Sequence, residues 1–363
     1  MTTDAVGGVW SYAVDLAEGL SREGVAVTLA LLGPPASEAQ GARAAAAGCR
    51  LLATGLPLDW LAETPGAVLA AGAALSGIAR AVGADLVHIH SPAFAAAGGF
   101  TVPVVAVCHS CVATWWAALE SGPLPADLAW RRDLAARGCA RADALLSPSA
   151  AHAAATADAY GLFRPPTVVH NGRRPAQLPA AAGAAPFAFT AGRLWDRAKN
   201  LAALDAAAAL ATVPVRAAGG VEGPNGERIA APHLALLGRL DEAGIAAQLN
   251  ERPVFVSLAR YEPFGLAVLE AAQAGCALVL SDLPTFRELW QGAAVFVDPA
   301  DAAAVARDLD ALAADAGRRA ILGEAARTRA ARYGADAMVA GILRAFDAVR
   351  AGRGSAAIGG AAA

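Results

Sequence analysis

The sequence predicts an α/β protein of two domains, each a doubly wound parallel sheet. Three observations carry this expectation. Short β-branched runs alternate with longer Ala- and Leu-rich stretches of helical period along most of the chain. The strand-like runs, such as DLVHIH (85–90) and VPVVAVC (102–108), are continuously apolar, as strands buried on both faces require. The alternation is broken once, by RRPAQLPAAAGAAP (173–186), which has no periodicity and reads as a linker. A length of 363 residues also suits two domains better than one.

In the first half, strands are expected at 25–32, 85–90, 102–108, 144–147 and 167–170. Helical stretches fall at 9–23, 68–82, 130–140 and 150–160. The opening MTTDAVGGVW reads as the end of a first strand and its loop, so the strand that should sit centrally is a stub. A start site assigned too far downstream would account for that. After the linker, strands are expected at 187–191, 213–217, 234–237, 254–257, 277–281 and 294–297. Helices lie between them, notably at 201–210, 265–274 and 302–314. The expected division is 1–172, linker 173–186, second domain 187–333, a last helix over 334–350, and a low-complexity, disordered tail at 351–363.

Composition narrows the function classes. Apolar residues make up 56% of the chain, ample for two cores. A net charge of -3 and a pI near 6.1 give no electrostatic case for nucleic acid or an anionic membrane surface. The nearest candidate for a span, 66–79, is short, rich in Ala and Gly and closed by Arg80, so no transmembrane segment is expected. No basic segment followed by an apolar stretch opens the chain, and a cytoplasmic protein is the expectation. Five cysteines at irregular spacing do not suggest a disulfide framework. Cys108 and Cys111 form a lone CxxC around His109. A zinc site would normally need a second pair, so they read as small residues at the end of a buried strand. Of 29 basic residues, 28 are Arg and one is Lys, Lys199. In such an Arg-rich background a retained lysine is informative where it falls, because Arg and Lys are not interchangeable at a site that needs a compact ammonium.

Two segments carry chemistry. ARYEPFGLAVLE (259–270) follows a strand and opens a helix, with Pro263 and Gly265 shaping the turn. The amides of Gly265 and Leu266 then lie at a helix N-terminus, a ready anion site. Glu262 and Glu270 flank it. Phosphate repels carboxylates, but sugar hydroxyls donate to them, so the pattern suits a ligand carrying both. GRLWDRAKN (192–200) follows the first strand of the second half. It places Arg193 and Lys199 at the carboxyl edge of the sheet, where two cations would neutralise a diphosphate.

These segments resemble those of the retaining glycosyltransferases of family 4 (glycosyltransferase group 1), whose fold is called GT-B. Glu262 and Glu270 match the family's pair of glutamates around an EPFG core. Arg193 and Lys199 match its diphosphate-binding pair. AAQAGCALVLSDLPTFRELW (271–290) resembles the continuation of the same motif. In the first half, Gly7 and Gly8 resemble the family's glycine-rich loop, His109 resembles the histidine that faces the donor sugar, and HNG (170–172) resembles the turn before the linker. The resemblance implies two Rossmann-like domains facing each other across a cleft, the first binding acceptor, the second binding the nucleotide sugar, and the last helix crossing back to the first. It implies that Glu270 holds the ribose, Glu262 contacts the transferred sugar, and Gly265 and Leu266 serve the diphosphate and sugar. It also implies retention at the anomeric carbon.

The expected function is sugar transfer from a nucleotide-sugar donor, as co-substrate, to a sugar, lipid or small-molecule acceptor. No other cofactor is expected, peripheral membrane contact is compatible with the reading, and no metal is expected because no paired-aspartate motif stands out. A GT-B-fold nucleotide-sugar epimerase and a non-catalytic nucleotide-sugar-binding protein are the alternatives. A nicotinamide dehydrogenase is disfavoured because DAVGGVW lacks the GxGxxG spacing. Surface charge would be the plain reading of the two acids and the two cations, and a satisfied core residue that of His109. Matched context favours function for these, whereas His88, His90 and Trp115-Trp116 read as packing, and Glu288 as donor contact or helix-start acid equally.

Overall fold

The computed structural model describes residues 1–176, 186–223, 226 and 228–360, with side chains to residue 352. The chain divides into two compact units, Met1–Gly172 with Ala335–Ala363, and Arg173–Gly334.

The first unit holds β1 (Thr2–Asp4), β2 (Thr28–Leu32), β3 (Arg50–Ala53), β4 (Val87–Ile89), β5 (Val104–Val107), β6 (Ala144–Ser147) and β7 (Thr167–Val168). Every pair is parallel, in two ladders ordered β1-β2-β3 and β4-β5-β6-β7. The ladders part at β1, which is three residues long. A side chain continues the join: the His90 amide donates to Thr2 Oγ1 at 2.9 Å. β3 and the helix Glu38–Ala46 fall outside the sequence expectations. Neither residue of the β3 interior is buried, and the helix has one buried residue, so neither carries a strong apolar signature. The helix is instead fixed locally by a capping box between Ser37 and Gln40.

The second unit holds β8 (Ala188–Ala191), β9 (Val215–Ala218), β10 (Ala235–Gly238), β11 (Val254–Ser257), β12 (Ala277–Ser281) and β13 (Val295–Val297). They form one parallel sheet ordered β10-β9-β8-β11-β12-β13. The chain winds one way from β8 and the other way from β11, so β8 and β11 flank the switch point where doubly wound sheets bind ligands. Both faces are covered. Phe189, Phe255, Leu278 and Leu280 pack into one core with Leu269, Phe286 and Trp290. Val254, Val256 and Val279, their neighbours in sequence, pack into a second core with Leu204 and Leu309. This period-2 division between two buried faces is why the strands read as continuous apolar runs.

The last helix, Ala335–Gly360, belongs to the first unit. Met338, Val339, Ile342 and Phe346 enter its core beside the helix Gly8–Arg22. A Cβ on Gly19 would lie 2.2 Å from Val339 Cγ2, so glycine there permits the close crossing. The helix runs on through residues 351–360, which the sequence reading assigns to a disordered tail. That stretch contains no proline to stop it. Residues 177–185 of the expected linker, and 361–363, lie outside the described residues.

Candidate active site

The loops after β8 and β11 are laced together. Arg193 donates to Asp196 Oδ2 at 3.0 Å. Asp196 caps the turn Arg197–Lys199 by accepting from the Ala198 amide at 2.9 Å. Asn200 closes the turn in the left-handed region (φ 55°) and its side chain donates to the Leu258 carbonyl at 3.0 Å. The Arg260 amide returns a bond to the Ala198 carbonyl at 2.9 Å. These bonds bring the Lys199 ammonium onto Glu262 Oε2 as an ion pair, with side-chain exposures of 25% and 15%. A cation and an acid from adjacent strands are thus held together at the carboxyl edge of the sheet.

Gly265 starts the next helix, Leu266–Gln273, from φ 90° and ψ 68°. A Cβ there would stand 3.3 Å from each of Glu262 Cγ, Val268 Cγ2 and Phe286 Cε1, and in a backbone region L-residues rarely adopt. Glycine therefore keeps the helix start close to Glu262. The first-turn amides have no intrahelical acceptors. Glu270 lies one turn along, where Arg173 Nε meets its Oε1 at 2.9 Å. The same guanidinium reaches Glu242 at 3.3 Å, and the Arg173 carbonyl accepts from Gln273 Nε2 at 2.9 Å. Sequence reasoning missed Arg173 because it opens the stretch read as linker. Its place directly after HNG was the available signal.

In the first unit, Asp4 Oδ1 accepts from the Val6 amide at 2.8 Å, and Gly7, in extended conformation, caps the helix that begins at Gly8. His109 follows β5. Its ring lies edge-on to Tyr12 at 4.5 Å between centroids and 5.3 Å from His90. Nε2 of His109 is buried without a hydrogen-bond partner among the described residues. Burial, with the charge of His152 adding to it, pushes the His109 pKa down to about 3, so the imidazole is neutral at physiological pH. His88 is fully buried and packs against His90 and Phe346. Trp115 and Trp116 are half-buried, and the Trp116 indole donates to the Gly122 carbonyl at 3.2 Å. Among the described residues no group of three or more His, Cys, Asp or Glu is placed to hold a metal ion, and no helix is long and apolar enough to cross a membrane.

Residues 6–177 match the model of Glycosyltransferase Family 4, and residues 226–329 that of Glycosyl transferases group 1. Each match covers less than half of the chain, and the fold is GT-B, two units each built on parallel sheets. It is 36% identical over 132 residues to a phosphatidyl-myo-inositol mannosyltransferase of Mycobacterium tuberculosis, and equally to one of Mycobacterium bovis. That alignment covers 34% of this chain and 35% of the relative, so the chain spans about a third of the length of the curated relatives it matches. Among solved structures, sucrose-phosphate synthase from Thermosynechococcus elongatus superposes with a TM-score of 0.73 at 18% identity, over 97% of this chain and 99% of that one. Anabaena HepE in complex with UDP-glucose superposes with 0.73 at 17% identity, over 96% and 99%. At these identities the shared property is the fold.

Within this GT-B chain, six of the residues singled out in the sequence gather at one edge of the second unit: Arg193, Lys199, Glu262, Gly265, Leu266 and Glu270. Gly7, Gly8 and His109 stand at the carboxyl ends of β1 and β5 in the first unit. Asp196 and Tyr12 join Arg173 as residues that only the structure reveals, each through a contact with a predicted one.

Proposed function

We propose that the protein transfers a glycosyl group from a nucleoside-diphosphate sugar to an acceptor hydroxyl, with retention at the anomeric carbon and without a required metal. The Lys199–Glu262 pair beside the Gly265-capped helix start is the observation that carries this reading. In the transfer, the bond from the anomeric carbon to the diphosphate oxygen breaks as the bond to the acceptor oxygen forms. The acceptor proton passes to the departing phosphate oxygen on the same face. Negative charge grows on that diphosphate, where Lys199, Arg193 and the amides of Gly265 and Leu266 stabilise it. Lys199 exchanges its carboxylate partner for phosphate, which frees Glu262 to accept from a sugar hydroxyl. Glu270, positioned by Arg173, accepts from the ribose hydroxyls. His109, neutral, offers an imidazole nitrogen to a substrate hydroxyl.

Support comes from the two family matches, from the UDP-glucose held by HepE, and from the sugar transfer named for the mycobacterial relatives. The acceptor is a sugar, a lipid headgroup or a small molecule. The deciding experiment incubates the protein with UDP- and GDP-sugars, offering soluble sugars in one arm and phosphatidylinositol vesicles in the other. The expected result is transfer with the donor's anomeric configuration kept and no loss on chelation. Epimerisation without acceptor, or thermal stabilisation without turnover, would overturn it.

Arg173 is expected to act on donor affinity. Its guanidinium meets Glu270 in a partly buried ion pair, an interaction worth about 1 kcal/mol. Arg173→Ala is therefore expected to weaken nucleotide binding about fivefold to tenfold while changing kcat less than threefold. Titration calorimetry with the nucleoside diphosphate checks the first number. An unchanged dissociation constant would show that Glu270 needs no such support.

A further inference from the structure

The sequence offers a CxxC motif that the transfer reaction does not use. β5 ends at Val107 and the next helix begins at Val112, so Cys108-His109-Ser110-Cys111 forms the whole turn between them. Cys111 caps that helix: its sulfur accepts from the Thr114 amide at 3.4 Å and lies 3.0 Å from Thr114 Oγ1. Cys108, fully buried at the end of β5, lies three residues before Cys111, and the two thiols perturb each other's titration. The two sulfurs are therefore neighbours in a strand-to-helix turn, the second at a helix N-terminus and partly exposed. That is the placement in which a CxxC pair does thiol–disulfide exchange.

The electrostatics divide the pair. The neighbouring Cys108 thiol and the hydrogen bonds with Thr114, working against burial, hold the Cys111 pKa below the usual thiol range and favour its thiolate. The neighbouring Cys111 sulfur and its own burial hold Cys108 well above the usual thiol range. Cys139, on the helix Ala126–Arg141, is a third sulfur close enough to be felt by Cys111 and is pushed up to about 12 by burial. One sulfur of the pair is thus prepared to attack and the other to resolve.

We propose that Cys108 and Cys111 are a reversible redox pair that closes to an intramolecular disulfide by exchange with a low-molecular-weight disulfide such as glutathione disulfide, and that closure displaces His109. In the first step the Cys111 thiolate attacks one sulfur of the oxidant, whose S–S bond breaks. The thiolate released takes up the proton that Cys111 has lost. In the second step Cys108 gives up its proton and attacks the Cys111 sulfur of the mixed disulfide, and the second small thiol leaves carrying that proton. Two protein thiols lose two protons and two electrons, and one small disulfide becomes two thiols. His109 and Ser110 then lie inside the ring so formed. Cys111 loses the thiolate character that anchors it to the Thr114 amide, and the His109 ring leaves its seat against Tyr12. The consequence for activity rests on the role proposed for His109; the exchange chemistry does not.

The test uses the full-length protein in glutathione buffers of increasing oxidised fraction. Free thiols are trapped under acid and the peptides read by mass. One disulfide joining Cys108 to Cys111 is expected, reversed by dithiothreitol and retained in Cys139→Ser. Cys108→Ser should stop at a glutathione adduct on Cys111. Transfer by the oxidised wild type should fall at least tenfold and return on reduction, while Cys111→Ser should be insensitive to the oxidant. Two free thiols in a fully oxidising buffer, a lasting adduct on wild-type Cys111, or a Cys111–Cys139 bond would each overturn the pairing. A Cys108–Cys111 bond with unchanged transfer would overturn the link to His109. The mass readout stands whether or not transfer itself is found.

Discussion

Lys199→Ala is expected to lower kcat/KM for glycosyl transfer by about 10²- to 10³-fold, the cost of removing one well-placed group that stabilises charge on a leaving group. The loss should appear mainly in kcat, because the charge that Lys199 meets grows as the anomeric bond breaks. Two effects combine. The diphosphate loses a cation, and the Glu262 carboxylate, no longer paired with Lys199, is left beside the incoming phosphates. The double variant Lys199→Ala/Glu262→Gln should therefore be less impaired than the product of the two single effects predicts. Lys199→Arg should restore little. The position lies at the end of a three-residue turn closed by Asn200, and a planar fork does not fit where a compact ammonium reaches Glu262. Arg193→Ala is expected to be milder, since that side chain is 44% exposed and already tied to Asp196. Pre-steady-state turnover with a saturating donor measures these effects, and thermal unfolding within a few degrees of wild type separates them from misfolding. Turnover of Lys199→Ala within threefold of wild type would remove the lysine from the mechanism.

Much of the fold was legible because so many strands are buried on both faces. Val254–Ser257 and Ala277–Ser281 read directly from the sequence, since Val254, Phe255 and Val256 leave no polar face to confuse the pattern. β3 was not legible for the opposite reason: an edge strand with half-exposed residues has neither a continuous nor an alternating apolar signature. The candidate site was legible in pieces. Motif context singled out Lys199 and Glu262 separately, but nothing local shows that residues 63 positions apart form an ion pair. That pairing depends on the Asn200–Leu258 and Arg260–Ala198 bonds, which are products of the parallel neighbours β8 and β11. Arg173 was hidden by composition, since a Pro/Ala/Gly stretch reads as linker whatever its first side chain touches. The CxxC motif was visible, yet its meaning lay in the register that puts Cys111, rather than Cys108, at a helix cap.

The first unit is expected to lose stability steeply between pH 7 and pH 5. Burial pushes the pKa values of His88 and His109 down to about 3 and that of His152 to about 4, and it holds His90 well below the ordinary histidine range. The unfolded chain titrates these groups near 6.5. From that value down to the folded values, the unfolded state binds a proton at each site and the folded state does not. Acid therefore favours unfolding, and the stability present above pH 6.5 drains as the pH falls toward the folded pKa values. Each site loses up to about 1.4 kcal/mol per pH unit within that window. Four such sites remove several kcal/mol by pH 5, a large fraction of the ~5–15 kcal/mol that holds a domain folded. Neighbouring groups modify the sum. The Met1 ammonium, also depressed by burial to about 6, works in the same direction at slightly higher pH. Asp59 is raised by burial, so it binds its proton more readily in the folded state and acts in the opposite direction. The second unit has a single histidine, His233, which is exposed, and should shift less over the same range. Calorimetry from pH 7.5 to pH 5 should show the first unit's transition fall by on the order of 10 °C. His88→Gln and His90→Gln, which carry no titrating imidazole, should each reduce the pH slope by about one proton. A transition for the first unit that stays within two degrees across that range would show that the buried imidazoles already bind protons in the native fold.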